Sequence, residues 1–243
     1  MIKDNNFRIV IISRGRSKTI ESHKLFPYAD LIVPEEEREE YKKAVSNNLV
    51  TTPNNIIGLG ILRNWVLDNY KEECIVMVDD DIKALYYIGG VNAKRIENAD
   101  TIEAVIYNAY IMASDINLGF FGFNQAWDVR KYKADSPIVL NSWAGGVVGI
   151  IGRELKFCKN KFKVDIDFAL QNLLHKRIVI IDSRYSFAQA RDRNKGGNSK
   201  YRTKEGVENE IAYLKNKWGK HFKIKKTKTT YQTILDVKRK NAN

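Results

Sequence analysis

Apolar residues fall along this chain in two rhythms. In one they run almost unbroken, as in Phe7-Arg8-Ile9-Val10-Ile11-Ile12, Ile75-Val76-Met77-Val78 and Ile178-Val179-Ile180-Ile181. Strands buried on both faces read this way. Asp30 to Val33, stopped by Pro34, reads as a shorter strand, as do Leu49 to Thr52, Phe120 to Phe123 and Pro137 to Leu140. In the other rhythm apolar residues recur at helical spacing: Ile61, Leu62, Trp65, Val66 and Tyr70; Ile102, Val105, Ile106, Ala109, Tyr110, Ala113 and Ile116; Ala169, Leu170, Leu173 and Leu174; Val207, Ile211, Leu214 and Trp218. The two kinds alternate, so the expected architecture is an α/β sheet of βα units.

Where these strands end, the polar residues become informative. Ile75 to Val78 runs straight into Asp79, Asp80 and Asp81. In open α/β sheets ligands bind outside the carboxyl ends of the strands. Three adjacent like charges repel, and a hard divalent cation such as Mg²⁺ or Mn²⁺ relieves that repulsion. A solvated acidic turn is the competing reading. The first strand ends in Ser13-Arg14-Gly15-Arg16-Ser17, a short loop suited to phosphate through backbone N–H groups and Arg forks. It matches neither G-x-G-x-x-G nor a P-loop. Glu35 to Glu40 reads as the start of a solvated helix without chemistry. Arg63 and Asn64 near a helix start read equally as helix surface. The glycines of Asn141 to Gly152 mark a close approach or a bulged hairpin. In Val164 to Phe168, Asp165 suits an N-cap and Asp167 suits the helix dipole. Arg191 to Lys200 is a basic, glycine-containing loop, either unstructured or a lid over an anionic ligand.

Composition narrows the class. The chain has 243 residues and 44% hydrophobic content, enough for one large domain. No apolar run reaches the ~18 residues of a membrane span. Met1 to Asn6 does not read as a signal peptide, and two cysteines without a disulfide framework lead one to expect a reducing cytoplasm. Cys74 and Cys158 fit no disulfide framework, and His23, His175 and His221 are too scattered for a zinc motif. The net charge of +12 is uneven: residues 191–243 carry +11 and residues 1–190 carry +1. A basic tail on a balanced body points to a polyanionic partner.

In this order, the strand-loop Ile9 to Arg16, the Arg63-Asn64 helix, Val76 to Asp81, Trp143 to Gly149, Val164 to Asp167 and Arg191 to Gly197 resemble the TET/JBP-associated glycosyltransferases, found largely in phages. The resemblance spans most of residues 7–200. It implies a GT-A-like (Rossmann-like) α/β domain over residues 1–200, with a mixed, mostly parallel central sheet flanked by helices. Residues 201–243 form a basic extension packed on it or continuous with it. It implies a sugar donor carried on a nucleoside diphosphate, most simply a UDP-sugar, with Mn²⁺ or Mg²⁺. It places the metal on Asp79 and Asp81 and the donor near Ser13, Arg14, Arg16, Arg63, Asn64 and Asp80. Trp143, Gly145 and Gly146 fall at the sugar and acceptor side, and Arg191, Arg193 and Lys195 at the diphosphate. Asp167 is the implied general base, with Asp165 as its rival. His221 is the one late histidine available as a further metal ligand.

The implied acceptor is the hydroxyl of 5-hydroxymethylcytosine or 5-hydroxymethyluracil in DNA, inside a bacterial host if the chain is phage-encoded. Trp143 or Trp127 would stack on an exposed base. Three alternatives stay open. One is a glycosyltransferase acting on polysaccharide, lipid or protein. Another is a nucleotidyltransferase, which would release pyrophosphate. The third is a non-catalytic nucleic-acid-binding protein, which leaves the three aspartates unexplained. Neither oligomeric state nor the sugar is readable from the chain.

Overall fold

The computed structural model describes residues 2–160, 163–189, 203–226 and 231–237. The chain opens with β1 (Phe7–Ile12), β2 (Asp30–Pro34), α1 (Arg38–Ala44), β3 (Leu49–Thr52), α2 (Leu59–Asn69) and β4 (Cys74–Asp79). It continues through β5 (Ile82–Tyr87), β6 (Lys94–Ile96), α3 (Ala99–Asp115), β7 (Phe120–Asn124), β8 (Ile138–Val139) and β9 (Val147–Ile151). Last come α4 (Val164–Lys176), β10 (Ile180–Gln189), α5 (Lys204–Trp218), β11 (Phe222–Lys226) and β12 (Tyr231–Leu235).

The main sheet has the order β3-β2-β1-β4-β9-β7-β10-β5-β6, with β8 alongside β10; β11 and β12 pair separately. Strands β1, β2, β3, β4, β6, β7 and β10 point one way, and β5, β8 and β9 the other. The sheet is therefore mixed and mostly parallel. Its chain order reverses at β1, whose neighbours are β2 and β4. A crevice opens at such a switch point, outside the carboxyl ends of both strands.

Side chains alternate across the sheet and build two cores. Phe7, Ile9 and Ile11 of β1 join Cys74, Val76 and Val78 of β4 beneath α3. Val10 and Ile12 join Ile75 and Met77 on the other face, with residues of α2, α4 and α5. Leu214 of α5 and Phe222 of β11 belong to this second core.

Some elements differ from their sequence reading. The β5–β6 hairpin is unannounced by its pattern, because its apolar positions pack against β10, about a hundred residues later. The glycine-rich Val147–Ile151 is not a hairpin arm but a buried strand between β4 and β7. Asp165 is not an N-cap: α4 begins after Lys163, in a left-handed conformation at φ 50°, and Asp165 lies in the first turn. The Glu35–Glu40 run is a 3₁₀ turn leading into α1, and it reaches back to the β1 loop.

Helix α2 packs tightly against the segment before α4. A Cβ on Gly60 would run into the backbone carbonyl of Cys158. Asn64 fixes the same contact, accepting from Phe157 N and donating to Phe157 O, both at 2.8 Å. Gly60→Ala is therefore expected to push α2 off this segment at a cost of about 1–3 kcal/mol. A lowered urea midpoint with unchanged slope would show it, whereas an unchanged midpoint would mean the helix has room to move.

Candidate active site

The loops after β1 and β4 are bound together by Asp80. Its side chain is buried. Ser13 Oγ donates to Asp80 Oδ2 and Arg16 Nη1 to Oδ1, both at 2.5 Å. Burial pushes the Asp80 carboxyl up, while Arg16 and Ser13 pull it back. The Arg16 guanidinium is itself raised, with Asp80 holding its proton against burial, so the two form an ion pair. Tyr41 of α1 extends the knot, with its hydroxyl 2.6 Å from Ser13 Oγ and accepting from Arg16 N at 3.0 Å. Ser22 closes it from the other side by donating to the Asp79 carbonyl at 2.5 Å and accepting from Ile82 N at 2.9 Å.

With Asp80 consumed by structure, Asp79 and Asp81 face the crevice. Arg63 Nη2 donates to Asp79 Oδ1 at 3.3 Å, and Gln189 Nε2 donates to Oδ2 at 3.2 Å. Asp79 N donates to the Gly146 carbonyl at 2.7 Å. Gly146 has φ +79°, and a Cβ there would sit 2.5 Å from Gln189 Nε2, so both backbone shape and space require glycine. Asp81 Oδ1 is buried with no hydrogen-bond partner among the described residues. Burial, then Asp79 and Asp80, push the Asp81 carboxyl up to about 6. Arg63 is 1% exposed, lies 5.3 Å from the Phe157 ring centroid, and leaves Nε and Nη1 without partners. Unpaired buried donors and a lone buried carboxylate oxygen are costly. Here both lie beside Asp79, which Arg63 bonds directly and whose charge helps raise Asp81.

Helix α4 supplies two aspartates with different surroundings. Two residues apart on a helix is about 200°, so they point to opposite sides. Asp165 faces the site: a Cβ on Gly145 would lie 2.7 Å from its Oδ2. Burial pushes Asp165 up, Arg63 opposes this, and Asp79 adds to it. Asp167 faces away and is fully buried. It accepts from Trp218 Nε1 at 2.8 Å, Lys217 Nζ at 2.7 Å and Gln171 Nε2 at 2.7 Å. Its carboxylate has no open side toward the crevice.

The remaining sequence candidates divide. Trp143 is half-buried and lines the Gly145 stretch, 3.6 Å from the position of a Cβ there. Arg14 donates to the Ile56 carbonyl at 3.2 Å, at the rim of the β1 loop. Asn64 is spent on the Phe157 backbone. His221 is exposed, with Nδ1 3.0 Å from the Asp236 carbonyl in the small sheet. Arg191, Arg193 and Lys195 lie outside the described residues. Sequence reasoning missed Tyr41, Gln189 and Glu37; the last accepts from Gly15 N at 2.6 Å. The only local signal for Glu37 was an acidic run following a strand that neighbours a basic loop. Among the described residues no three His, Cys, Asp or Glu side chains form a metal-holding group. Asp79 and Asp81 alone still fit a hard cation that takes its remaining ligands from substrate phosphates.

A profile of the TET-Associated Glycosyltransferase family matches residues 7–197. No curated protein matches the sequence. Among solved structures, the fold is similar to glucosyl-3-phosphoglycerate synthase from Mycobacterium tuberculosis in complex with Mn²⁺, UDP and glucosyl-3-phosphoglycerate. The TM-score is 0.57 at 12% identity, over 95% of this chain and 86% of that one. It is also similar to S. aureus TarS 1–349 in complex with UDP-GlcNAc, with a TM-score of 0.50 at 12% identity, over 87% of this chain and 67% of that one. The chain spans 60% of TarS 1–349 in another structure and 36% of a longer TarS. These likenesses give the GT-A fold.

The raised Asp81 pKa has a definite sign for stability. The folded protein holds this proton more tightly than the unfolded chain, whose value is near 3.8. Stability from this group is thus fullest below about pH 4 and is lost as pH rises through 6. The loss amounts to at most about 3 kcal/mol. Without added metal, Asp81→Asn is expected to raise the melting temperature at pH 7.5 by about 5 °C and to leave it nearly unchanged at pH 4. Equal shifts at both pH values, measured by scanning calorimetry, would refute this origin.

Proposed function

The chain belongs to the TET-Associated Glycosyltransferase family, and from that premise we propose that it transfers a sugar from a UDP-sugar to the hydroxymethyl group of a modified pyrimidine in DNA. The observation that carries the transfer is that Asp79 is flanked by Asp81 on its own loop and by Asp165 of α4, with Arg63 bonded to it. Two different jobs are needed at the ends of the reacting sugar, and the site has a separate group for each.

At the donor end, Asp79 and Asp81 would hold Mn²⁺ or Mg²⁺ together with the diphosphate. When bound, such a cation neutralises charge developing on the leaving group. Arg63, bonded to Asp79 through Nη2, adds fixed positive charge beside it. Arg14 edges the β1 loop and suits the nucleotide, and Arg191 and Arg193 are assigned to the diphosphate. Arg16 and Asp80 hold the loop for them.

At the acceptor end, Asp165 takes the proton of the acceptor hydroxyl. That oxygen attacks the anomeric carbon, and the diphosphate leaves with the electron pair of the broken C–O bond. The upward shift of Asp165 brings it nearer neutrality and makes it a stronger base. Asp167 is unsuited, because three donors hold it on the far side of the helix. Trp143 and the small Gly145 and Gly146 leave room for the sugar.

Two features support a DNA acceptor. Residues 191–243 carry +11, and Lys215, Lys220 and Lys225 are exposed on α5 and the segment after it. Positive charge in this arrangement tracks phosphates. Trp127 is 55% exposed, and its ring stacks on Tyr86 at 5.3 Å and 22°. One face of the indole is backed and the other is open to an unstacked base.

The test is a nucleoside mass spectrum after incubation with Mn²⁺ and UDP-sugars. The duplexes carry 5-hydroxymethylcytosine, 5-hydroxymethyluracil or neither. A hexose-sized or N-acetylhexosamine-sized gain on one modified base is expected. Asp165→Asn should cut kcat by about 10²–10⁴-fold with donor affinity kept, and Asp81→Ala should abolish the Mn²⁺-induced rise in melting temperature. UDP release without any labelled base would move the acceptor to another polymer or a small molecule. Pyrophosphate release would replace sugar transfer by nucleotidyl transfer.

A further inference from the structure

Helix α4 begins without the usual means of fixing its first turn. Lys163 precedes it in a left-handed conformation, φ 50° and ψ 21°, and no side chain caps the helix. The Lys163 carbonyl accepts from Ile166 N at 3.2 Å and Asp167 N at 3.3 Å, but the free N–H groups of a helix start ordinarily receive a side-chain acceptor as well. This is the turn that carries Asp165. Besides Gln171 of α4 itself, which donates to Asp167 Oδ2 at 2.7 Å, its holding contacts come from residues beyond 197, where the family match ends. Lys217 and Trp218, at the end of α5, both donate to Asp167 Oδ1, at 2.7 and 2.8 Å. Lys163 Nζ donates to Thr233 Oγ1 of β12 at 3.3 Å. Leu214, fully buried, and Trp218 pack in the same core as Val164, Ile166 and Phe168 of α4.

We propose that α5 and the β11–β12 hairpin form a clamp that sets the position of Asp165, with Asp167, Lys217 and Trp218 as positioning residues. The proposal rests on the reading of Asp165 as the base. The helix geometry supplies the coupling. Asp165 and Asp167 project to opposite sides of one turn, so gripping the back of the turn fixes the direction of its front. Lys217 is a suitable grip. Its ammonium lies 5.2 Å from the Trp218 ring and 5.8 Å from the Tyr213 ring, which together confine it over Asp167. The buried Asp167 charge is thereby paired, and a misplaced α5 would leave it unpaired. A base displaced by about 1 Å loses on the order of 10²-fold in rate, so this clamp bears directly on turnover.

Two variants of the full chain test it. Trp218→Phe keeps the ring and removes the N–H donor, and Lys217→Met keeps the stem and removes the charge. Lys217→Arg, which restores a donor and a charge, serves as the rescue. Amide hydrogen exchange of residues 164–169 is followed by mass spectrometry, and donor turnover by UDP release. Exchange at 164–169 is expected to rise about tenfold in both variants while β1 and β4 keep their protection. At the same time kcat should fall at least tenfold with KM for the UDP-sugar within twofold, and Lys217→Arg should recover most of both. Unchanged exchange in α4 would overturn the clamp. So would unchanged kcat despite faster exchange, or a fall in kcat matched by a rise in KM. The reading of Asp165 fails separately, by full turnover in Asp165→Asn, and the exchange result decides the clamp even then.

Discussion

The crevice depends on a carboxylate whose oxygens are bonded by the protein itself. Asp80 sits between the ends of β1 and β4, buried, with Ser13 and Arg16 on its two oxygens. Breaking such a pair by removing one partner costs about 3–5 kcal/mol, since the other charge stays behind. The contact is made between segments sixty-odd residues apart, so it closes a long loop and fixes two strand ends together. β4 ends at Asp79, and Asp80 and Asp81 form the turn into β5, so the three carboxylates take different surroundings although they are adjacent in sequence.

Much of this was legible in the chain. Unbroken apolar runs gave β1, β4 and the start of β10 because those strands are buried on both faces and need no periodic signal. The Asp79–Asp81 triplet was conspicuous for the same reason: charge directly abutting a buried strand has few structural explanations. The apolar face of helix α3 was readable, but its ends were not: it spans Ala99–Asp115 and starts at an Asn98 cap ahead of the first apolar position.

What escaped was set by partners distant in sequence. The β5 strand exists because β10 pairs with it, and no local pattern encodes that pairing. Glu37 looked like solvent-facing acid until the turn that carries it was placed beside the β1 loop, where it accepts from Gly15 N. Arg63 sits on a helix whose face could be read either way. Its burial follows from the close approach at Gly60 and the Phe157 contact, both to residues about ninety positions later. The choice between Asp165 and Asp167 was undecidable for the same reason. Both are first-turn acids, and only the location of Trp218 shows which is occupied.

The local charges follow a single logic. Asp79 is brought near both Asp81 and Asp165, and the upward shifts of Asp81 and Asp165 reflect this together with burial. Nearby cations offset only part of that cost. Arg16 is held closest by Asp80 and lies 3.9 Å from Asp81, Lys217 is held by Asp167, and Arg63 reaches Asp79 with one nitrogen only. A carboxylate cluster left under-neutralised in this way favours a cation, because its arrival removes repulsion already present. Stability withheld from the empty fold is returned on binding, and marginal folds tolerate this only when the rest of the framework is firm. Here the Asp80 knot, the Asn64–Phe157 pairing and the α5 contact to α4 supply that firmness around the strained carboxylates.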